Sequence, residues 1–281
     1  TNLISDGGNF KGGIKADYNA TIYPGGKDKT GTLTTTTLAL GFGSRIVFDI
    51  NSDGTTDQIT ANKLTIEKKD WQYGPEYTAP VFQIKHTDIA PGTYTLVKAE
   101  QVEGSIDNII VEGLAGKKFE LKYENDAITL NIIALRNPAE ITWDGSTDGI
   151  WDFANTENFN IGGNKDMFVT NDVVTFNDEG TNTTVNIVEE VQPASVVFNN
   201  SSKNFTIDGT GSIIGAGSLT KKGTGTLTIN NVNKFTGGTF IEGGKLIVNS
   251  LANSDGATYG ALGGTSNKLT FQSGTLAVNK N

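Results

Sequence analysis

Short runs of alternating apolar and polar residues, most of them opened by glycine, recur through the last third of the chain. These runs occupy residues 217–220, 225–229, 238–241, 245–248, 268–271 and 274–278. Alternation with a period of two is typical of a β-strand with one buried face. We take Leu227, Leu246 and Leu269 as equivalent positions, with steps of 19 (246 − 227) and 23 (269 − 246) residues. Such a period predicts a solenoid in which each coil buries its apolar side against the next.

Composition favours the same fold class. The chain has 281 residues, of which 35 are glycine, and it contains one methionine and one histidine. Helix-favouring stretches are scarce, and no segment keeps a 3.6-residue period between caps. Gly237-Gly238 and Gly243-Gly244 precede strand-like runs, where a sharp corner often needs positive φ. We therefore predict an all-β chain folded as a right-handed parallel β-helix.

The first half of the chain shows the same pattern less regularly. Its predicted strands are residues 31–40, 45–50, 58–66, 81–85, 93–98, 108–111, 119–123 and 127–133. Glu124-Asn125-Asp126 separates the last two and predicts an antiparallel hairpin that interrupts the coil near 119–133. Arg136-Asn137-Pro138-Ala139 then breaks the strand pattern. We place a boundary there, between β-helix segments 1–137 and 138–281.

One stretch carries a family resemblance. Gly225-Thr-Leu-Thr228, Asn233-Lys-Phe-Thr-Gly-Gly-Thr239 and Gly244-Lys-Leu246 follow one another within residues 223–248. This order resembles the autotransporter-associated β-strand repeat, also called the passenger-associated transport repeat. Lys245 stands where the family usually has threonine, a change at a surface position.

Shorter pieces on both sides are similar to other parts of such passenger units. Residues 143–145, 149–152, 158–159 and 172–176 resemble the opening of a unit, and residues 24–25, 31–33, 57–59 and 91–96 resemble the closing part. The closing part comes first in the chain. The order therefore predicts a window across two units of a longer solenoid, with the joint near Pro138.

The resemblance implies a bacterial protein that is secreted or displayed at the cell surface, associated with the outer membrane. It implies a non-catalytic stalk or an adhesin-like passenger, with a glycan or protein of a host or neighbouring cell as partner. Because the chain starts at Thr1 without a signal peptide, we expect a mature or trimmed form.

Charge and hydropathy exclude several classes of function. The formal net charge is −9, with only 22 lysines and arginines, so we expect no nucleic-acid partner. No run approaches the ~18 apolar residues of a membrane-spanning helix, so we expect no membrane insertion in this segment. Cysteine is absent, which suits export through an oxidising compartment.

One segment has the spacing of a calcium-binding loop. Asp49, Asn51, Asp53 and Asp57 place oxygen atoms at positions 1, 3, 5 and 9 of the loop, and glycine stands at position 6. Position 12 is Thr60, where the full motif has a bidentate glutamate. The alternative is a polar turn between two strands, in which Asn and Asp favour tight corners. We expect no other cofactor.

Aromatic residues cluster in a second segment that contains Pro and Gly. Trp71, Tyr73 and Tyr77 lie within seven residues, and a loop carrying them could stack on a sugar or a protein partner. A carbohydrate-binding module that uses this loop is therefore the alternative function. The same aromatics could instead cap an open end of the core. Trp143 and Trp151 are predicted to be core residues, because the family pattern places them in the framework.

A polysaccharide lyase or hydrolase is the least favoured alternative. Its candidate acids are Asp144, Asp148, Asp152, Asp172 and Asp178. Most of them adjoin Gly or Asn, as turn residues do. The two arginines, Arg45 and Arg136, are far apart in sequence, so we expect no cluster that pairs an acid with a base. His86 is the lone histidine and is expected to face solvent from a strand.

Overall fold

The computed structural model describes residues 2–67, 78–86, 88–251 and 258–279. These residues form β-strands and turns, with one short 3-10 helix, Ile106–Asn108, and no α-helix within the described ranges. The strands of the first half are β1 Asn2–Ile4, β2 Asn9–Ala16, β3 Thr21–Tyr23, β4 Thr32–Leu40, β5 Arg45–Asp49, β6 Gln58–Ile66, β7 Val81–Lys85, β8 Gly92–Glu103, β9 Ile110–Glu112, β10 Lys118–Glu124 and β11 Ala127–Ile133.

The second half continues in the same way. Its strands are β12 Glu140–Trp143, β13 Ile150–Trp151, β14 Phe159–Ile161, β15 Asn164–Asp166, β16 Val173–Asn177, β17 Thr184–Ile187, β18 Glu190–Val191, β19 Ser195–Asn199, β20 Phe205–Asp208, β21 Ser212–Ile213, β22 Ser218–Lys222, β23 Thr226–Ile229, β24 Thr239–Ile241, β25 Lys245–Val248, β26 Tyr259–Gly260, β27 Gly263–Gly264, β28 Leu269–Phe271 and β29 Thr275–Val278. The prediction of an all-β chain is confirmed for the described residues.

The chain divides into two compact units, residues 1–134 and 135–281. This division reflects contacts within each unit. The predicted joint near Pro138 concerns the order of passenger units, and it stays a prediction.

In unit 1 the chain passes back and forth between two sheets with strand orders β1-β3-β5-β7-β9 and β10-β11-β8-β6-β4-β2. The strands of the first sheet are all parallel, and so are β2, β4, β6 and β8 in the second. Ile22, Ile46 and Phe82 are register partners in successive strands, and all three are buried. Apolar residues at matching positions of successive strands stack in this way, so that one face of the sheet is buried.

The predicted hairpin is confirmed. β10 and β11 pair antiparallel with Glu124 opposite Ala127, which leaves Asn125-Asp126 as a two-residue turn. Both turn residues have positive φ, 49° and 59°, the conformation of a type I′ turn that Asn and Asp tolerate. β11 also pairs antiparallel with β8, so the hairpin ends the parallel ladder at that edge of the sheet.

The strand predicted at 108–111 is partly wrong. The 3-10 helix Ile106–Asn108 precedes it, and β9 begins at Ile110. Ser105 explains the difference, because its hydroxyl accepts a hydrogen bond from the Asp107 N–H and caps the helix. A local side-chain bond therefore holds these residues out of the sheet.

Unit 2 also contains two large sheets. The first has the order β15-β14-β12-β16-β19-β22-β24-β28, in which the strands from β12 through β16 to β28 are parallel and β14 and β15 form an antiparallel edge. The second, β13-β17-β20-β23-β25-β29, is parallel throughout. Val174, Val196 and Leu219 are successive register partners, so the chain returns to the same sheet after 22 (196 − 174) and 23 (219 − 196) residues.

The predicted equivalence of three leucines is correct for two of them. Leu227 pairs with Leu246, but Leu246 pairs with Leu276. Leu269 lies in the other sheet and pairs with Thr239. The step after Leu246 is therefore 30 residues (276 − 246), because the chain between β25 and β28 includes the small β26–β27 pair.

The core of unit 2 is rich in aromatic rings. Trp143 and Trp151 are fully buried, so their predicted place in the core is confirmed. Trp143 lies 5.1 Å from the Phe159 ring and 5.4 Å from the Phe176 ring. Phe176 and Phe198 are register partners, and their rings stack at 4.3 Å with an interplanar angle of 6°. Parallel in-register pairing brings identical residues of successive strands face to face in this way.

Candidate functional site

The segment 49–57 forms a tight turn after β5. The Asn51 N–H bonds to the Thr55 carbonyl at 2.8 Å, and the Gly54 N–H bonds to the Asn51 carbonyl at 3.0 Å. Gly54 has φ of 87°, and a short antiparallel bridge joins Ile50 to Thr56. This backbone geometry is that of a polar turn between two strands, which was the alternative to a calcium-binding loop.

Asp57 ends this segment and is fully buried. Its Oδ1 accepts the Gly31 N–H at 2.8 Å, and its Oδ2 accepts the Asp49 N–H at 3.0 Å. Burial raises the pKa of this carboxyl to about 6, although both N–H groups favour the charged form. The side chain therefore ties the turn to the segment before β4.

The other predicted calcium ligands have different surroundings. Asp53 is exposed, and its Oδ1 accepts both the N–H and the hydroxyl of Thr55, which lowers its pKa. The Asn51 amide donates to the Thr55 hydroxyl at 2.8 Å. Asp49 is 8% exposed, burial raises its pKa, and its Oδ1 lies 3.7 Å from Lys85 Nζ. Within the described ranges, no three or more Asp, Glu, His or Cys side chains gather as metal ligands, and the calcium site stays a prediction.

A cavity of about 440 Å³ opens beside this turn, on Asp49 and Asn51 and on the segment that follows β7. Lys85 lines it and pairs with Asp28 as well as Asp49. His86 also lines it. The expectation that His86 lies in a strand is wrong, because His86 follows β7. Its ring is partly exposed, and Nε2 lies 3.0 Å from the Gly113 carbonyl.

The candidate acids for catalysis are bonded mainly to nearby backbone and turn groups. Asp178 accepts the N–H groups of residues 201–203 at 3.0 Å, which lowers its pKa. Asp152 accepts the N–H and hydroxyl of Thr156. Asp148 accepts the Ile150 N–H, and Asp144 accepts the Ser146 hydroxyl. Four of the five acids thus stabilise turns.

The fifth acid overturns the expectation that no acid pairs with a base. Asp172 is fully buried, and both its oxygens accept hydrogen bonds from the Arg136 guanidinium, at 2.7 and 2.8 Å. Asp166 lies 3.2 Å from the same guanidinium, and the Asp172 carboxylate also accepts the N–H groups of Ala139 and Val169. The partners are 36 residues apart, and nothing in the spacing indicates their contact. Arg45 also pairs with an acid, Glu112, at 2.6 Å.

A buried lysine was not predicted from the sequence. Lys221 in β22 has no exposed surface, and its ammonium donates to the carbonyls of Lys222 and Gly223. Burial lowers its pKa to about 8. Alternation along Ser218-Leu219-Thr220-Lys221 places Lys221 on the same side as the buried Leu219, and this was the signal available in the sequence.

The aromatic cluster Trp71, Tyr73 and Tyr77 lies outside the described residues. Its role in recognition stays a prediction. The described part of the chain contains no helix with the length and apolar character needed to cross a membrane.

Comparison with known proteins identifies one family. The Passenger-associated-transport-repeat matches residues 219–248, which begin within β22 and include β23, β24 and β25. The resemblance seen at 223–248 is therefore confirmed, and this segment is a passenger-type repeat. No curated protein and no solved structure matched the chain.

Proposed function

We propose that the chain is a module of a bacterial passenger, displayed at the cell surface or secreted, and that it serves as a non-catalytic stalk or adhesin-like element. The match to the passenger-associated repeat at residues 219–248 is the observation that carries this proposal. The turn and core roles of the candidate acids support a scaffold rather than a reaction centre.

We further propose that the two sheets of each unit are faces of a right-handed parallel β-helix. In-register parallel pairing supports this, as does the return to the same sheet after 22 and 23 residues. In a β-helix each coil contacts only its neighbours, so one whole coil can be removed without loss of the fold.

A pair of deletions in unit 2 tests the β-helix. Deletion of residues 196–218 joins Ser195 to Leu219, two residues that already hold adjacent places in the repeat. We expect this shortened chain to keep the β-sheet circular dichroism and a cooperative melt. Deletion of residues 196–207 removes half a coil and is expected to unfold unit 2. Equal loss of structure in both would contradict the β-helix, and a crystal structure would determine its handedness.

Protease treatment of intact bacteria tests display. An antibody against this chain is expected to detect fragments released from whole cells, or the chain itself in the culture medium. A cytoplasmic protein in the same cells is the control and should stay intact. Release only after lysis would refute a surface or secreted location.

A polysaccharide degradation assay tests the absence of catalysis. We expect no reducing ends or unsaturated products from neutral or acidic polysaccharides. Product that forms with the purified chain and disappears in Asp152→Asn or Asp148→Asn would show an enzyme instead.

A further inference from the structure

The chain contains five segments of the form Asn-x-Ser or Asn-x-Thr in which the middle residue is not proline. They begin at Asn19, Asn182, Asn199, Asn200 and Asn204. This pattern is the acceptor of N-linked glycosylation, in which a sugar is attached to the asparagine carboxamide. The pattern arises easily in a chain rich in Asn and Thr, so the sequence does not select one segment. The fold does, because a bulky sugar must project into solvent.

Two of the five asparagines are held by hydrogen bonds at the core of unit 2. Asn200 is fully buried, and its amide donates to the carbonyls of Lys203 and Thr226. Asn204 is exposed, but its carboxamide oxygen accepts the Thr226 N–H at 2.8 Å. Phe205, the middle residue of that segment, is fully buried. Neither segment offers its asparagine to a transferase without leaving the core.

The fold also constrains Asn182 and Asn199. Asn182 is half-buried, and its carboxamide oxygen accepts the Thr184 N–H at 3.1 Å. Asn199 is exposed, but it lies in the parallel ladder between Asn177 and Lys222. A strand inside a sheet has neighbours on both sides, so a transferase could bind its backbone only by breaking the ladder.

Asn19 has different surroundings, because it lies in the turn that joins β2 to β3 in unit 1. The Ala20 N–H donates to the Asp17 carbonyl at 2.8 Å and closes a four-residue turn. Asn19 is the third residue of this turn, with φ of 57°, a conformation that Asn tolerates. Asn19 is exposed, and the preceding Tyr18 is 54% exposed. This segment therefore presents its asparagine at the surface and outside a sheet.

Thr21 supplies the hydroxyl that the pattern requires. It is the first residue of β3, and the next residue, Ile22, is buried in the core. Successive side chains of a strand point to opposite faces, so the Thr21 side chain lies on the outer face of the sheet. Asn19 and Thr21 are thus both on the outside of unit 1.

We propose that Asn19 is a site of N-linked glycosylation and that the donor is a sugar activated at C1 as a pyrophosphate ester. The Asn19 carboxamide nitrogen forms a bond to C1, and the bond from C1 to the pyrophosphate oxygen breaks. The pyrophosphate leaves with the electron pair, and the amide releases one proton. A transferase of the producing cell catalyses this step. The modification goes beyond the stalk or adhesin-like role, and the protease test of display does not depend on it.

Tryptic digestion of the full chain, purified from the cells that produce it, separates the acceptors for mass spectrometry. Cleavage after lysine gives residues 16–27 with Asn19, residues 166–203 with Asn182, Asn199 and Asn200, and residues 204–221 with Asn204. We expect peptide 16–27 to gain the mass of one or more sugar residues and the other two peptides to be unmodified. An unmodified peptide 16–27 overturns the proposal, and sugar on either other peptide contradicts the selection by the fold.

Substitutions show which atoms are needed. Thr21→Val removes the hydroxyl at similar volume and should abolish the modification, whereas Thr21→Ser keeps the hydroxyl and should retain it. Asn19→Asp removes the acceptor nitrogen but tolerates the same positive φ, and thermal melts confirm that the fold is kept. Asn204→Gln is the matched control and should leave peptide 16–27 modified. Sugar that persists on this peptide in Asn19→Asp lies on a hydroxyl group and overturns the proposal.

Two reactions with the purified, unmodified full chain distinguish the sources of the activated sugar. One contains a bacterial oligosaccharyltransferase with a lipid-pyrophosphate-linked glycan. The other contains a soluble N-glycosyltransferase with uridine-diphosphate glucose. Transfer to Asn19 in one reaction supports the proposal and assigns the donor. Absence of transfer in both shows that Asn19 is inaccessible in the folded chain and overturns the proposal.

Discussion

Replacement of Lys221 by methionine should remove a specific pH dependence of stability. Lys221 is fully buried in β22, and its pKa is lowered from 10.5 to about 8 because burial disfavours the ammonium. The folded state therefore favours the neutral amine, while the unfolded chain stays protonated up to pH 10.5. Stability is lowest below pH 8 and rises as the pH increases from 8 to 10.5.

The expected rise is about 3 kcal/mol, since each pH unit of pKa difference corresponds to about 1.36 kcal/mol. Methionine has a similar length and no charge, so Lys221→Met should lack this rise. At neutral pH the unfolding free energies of the two proteins should differ less than at pH 10.5. Methionine avoids the cost of burying the ammonium there, but it also loses the hydrogen bonds to the Lys222 and Gly223 carbonyls.

Urea unfolding at pH 7, 8, 9, 10 and 10.5, followed by tryptophan fluorescence, measures the effect. Trp71→Phe in every protein leaves Trp143 and Trp151, both in unit 2, as reporters. Lys222→Met is the matched control, because the adjacent Lys222 is 45% exposed and pairs with Glu242. Parallel pH profiles for the parent and Lys221→Met would show that the ammonium is hydrated, and they would refute the burial of Lys221.

Three further substitutions or additions have defined outcomes. The raised pKa of Asp57 gives stability that is lost as the pH rises from 3.8 to about 6, a fall in unfolding free energy of about 3 kcal/mol. Asp57→Asn should abolish this fall. Urea titrations of both proteins at pH 4 to 7 measure it, and an unchanged profile in Asp57→Asn would count against the burial of Asp57. Asp172→Asn should destabilise unit 2 by about 3–5 kcal/mol, because it leaves the Arg136 guanidinium without its main counter-ion; a loss below about 1 kcal/mol in chemical unfolding would mean that Asp166 suffices. Millimolar Ca²⁺ should leave the melting temperature unchanged, because the Asp57 and Asp53 oxygens already accept hydrogen bonds; a rise that Asp53→Ala removes would establish the calcium loop.

Strand positions could be predicted because the alternation of buried and exposed residues is local. β23 and β25 lie within their predicted runs, and their leucines pair as expected. The Asn125-Asp126 turn was predictable for the same reason, since its two residues tolerate positive φ by themselves. Lys221 could also have been placed inside from its parity with Leu219.

The amino-acid sequence by itself thus determined the strands β23 and β25, the hairpin and the passenger-type repeat at 223–248. Tertiary structure decided which strands pair when the intervening chain changes length, as in the pairing of Leu246 with Leu276. It also decided which distant polar groups meet, as Arg136 meets Asp172 and Asp49 meets Lys85. The alternation within a strand depends on residues two apart in the sequence. Register and distant polar contacts depend on the number of residues between one strand and the next strand of the same sheet.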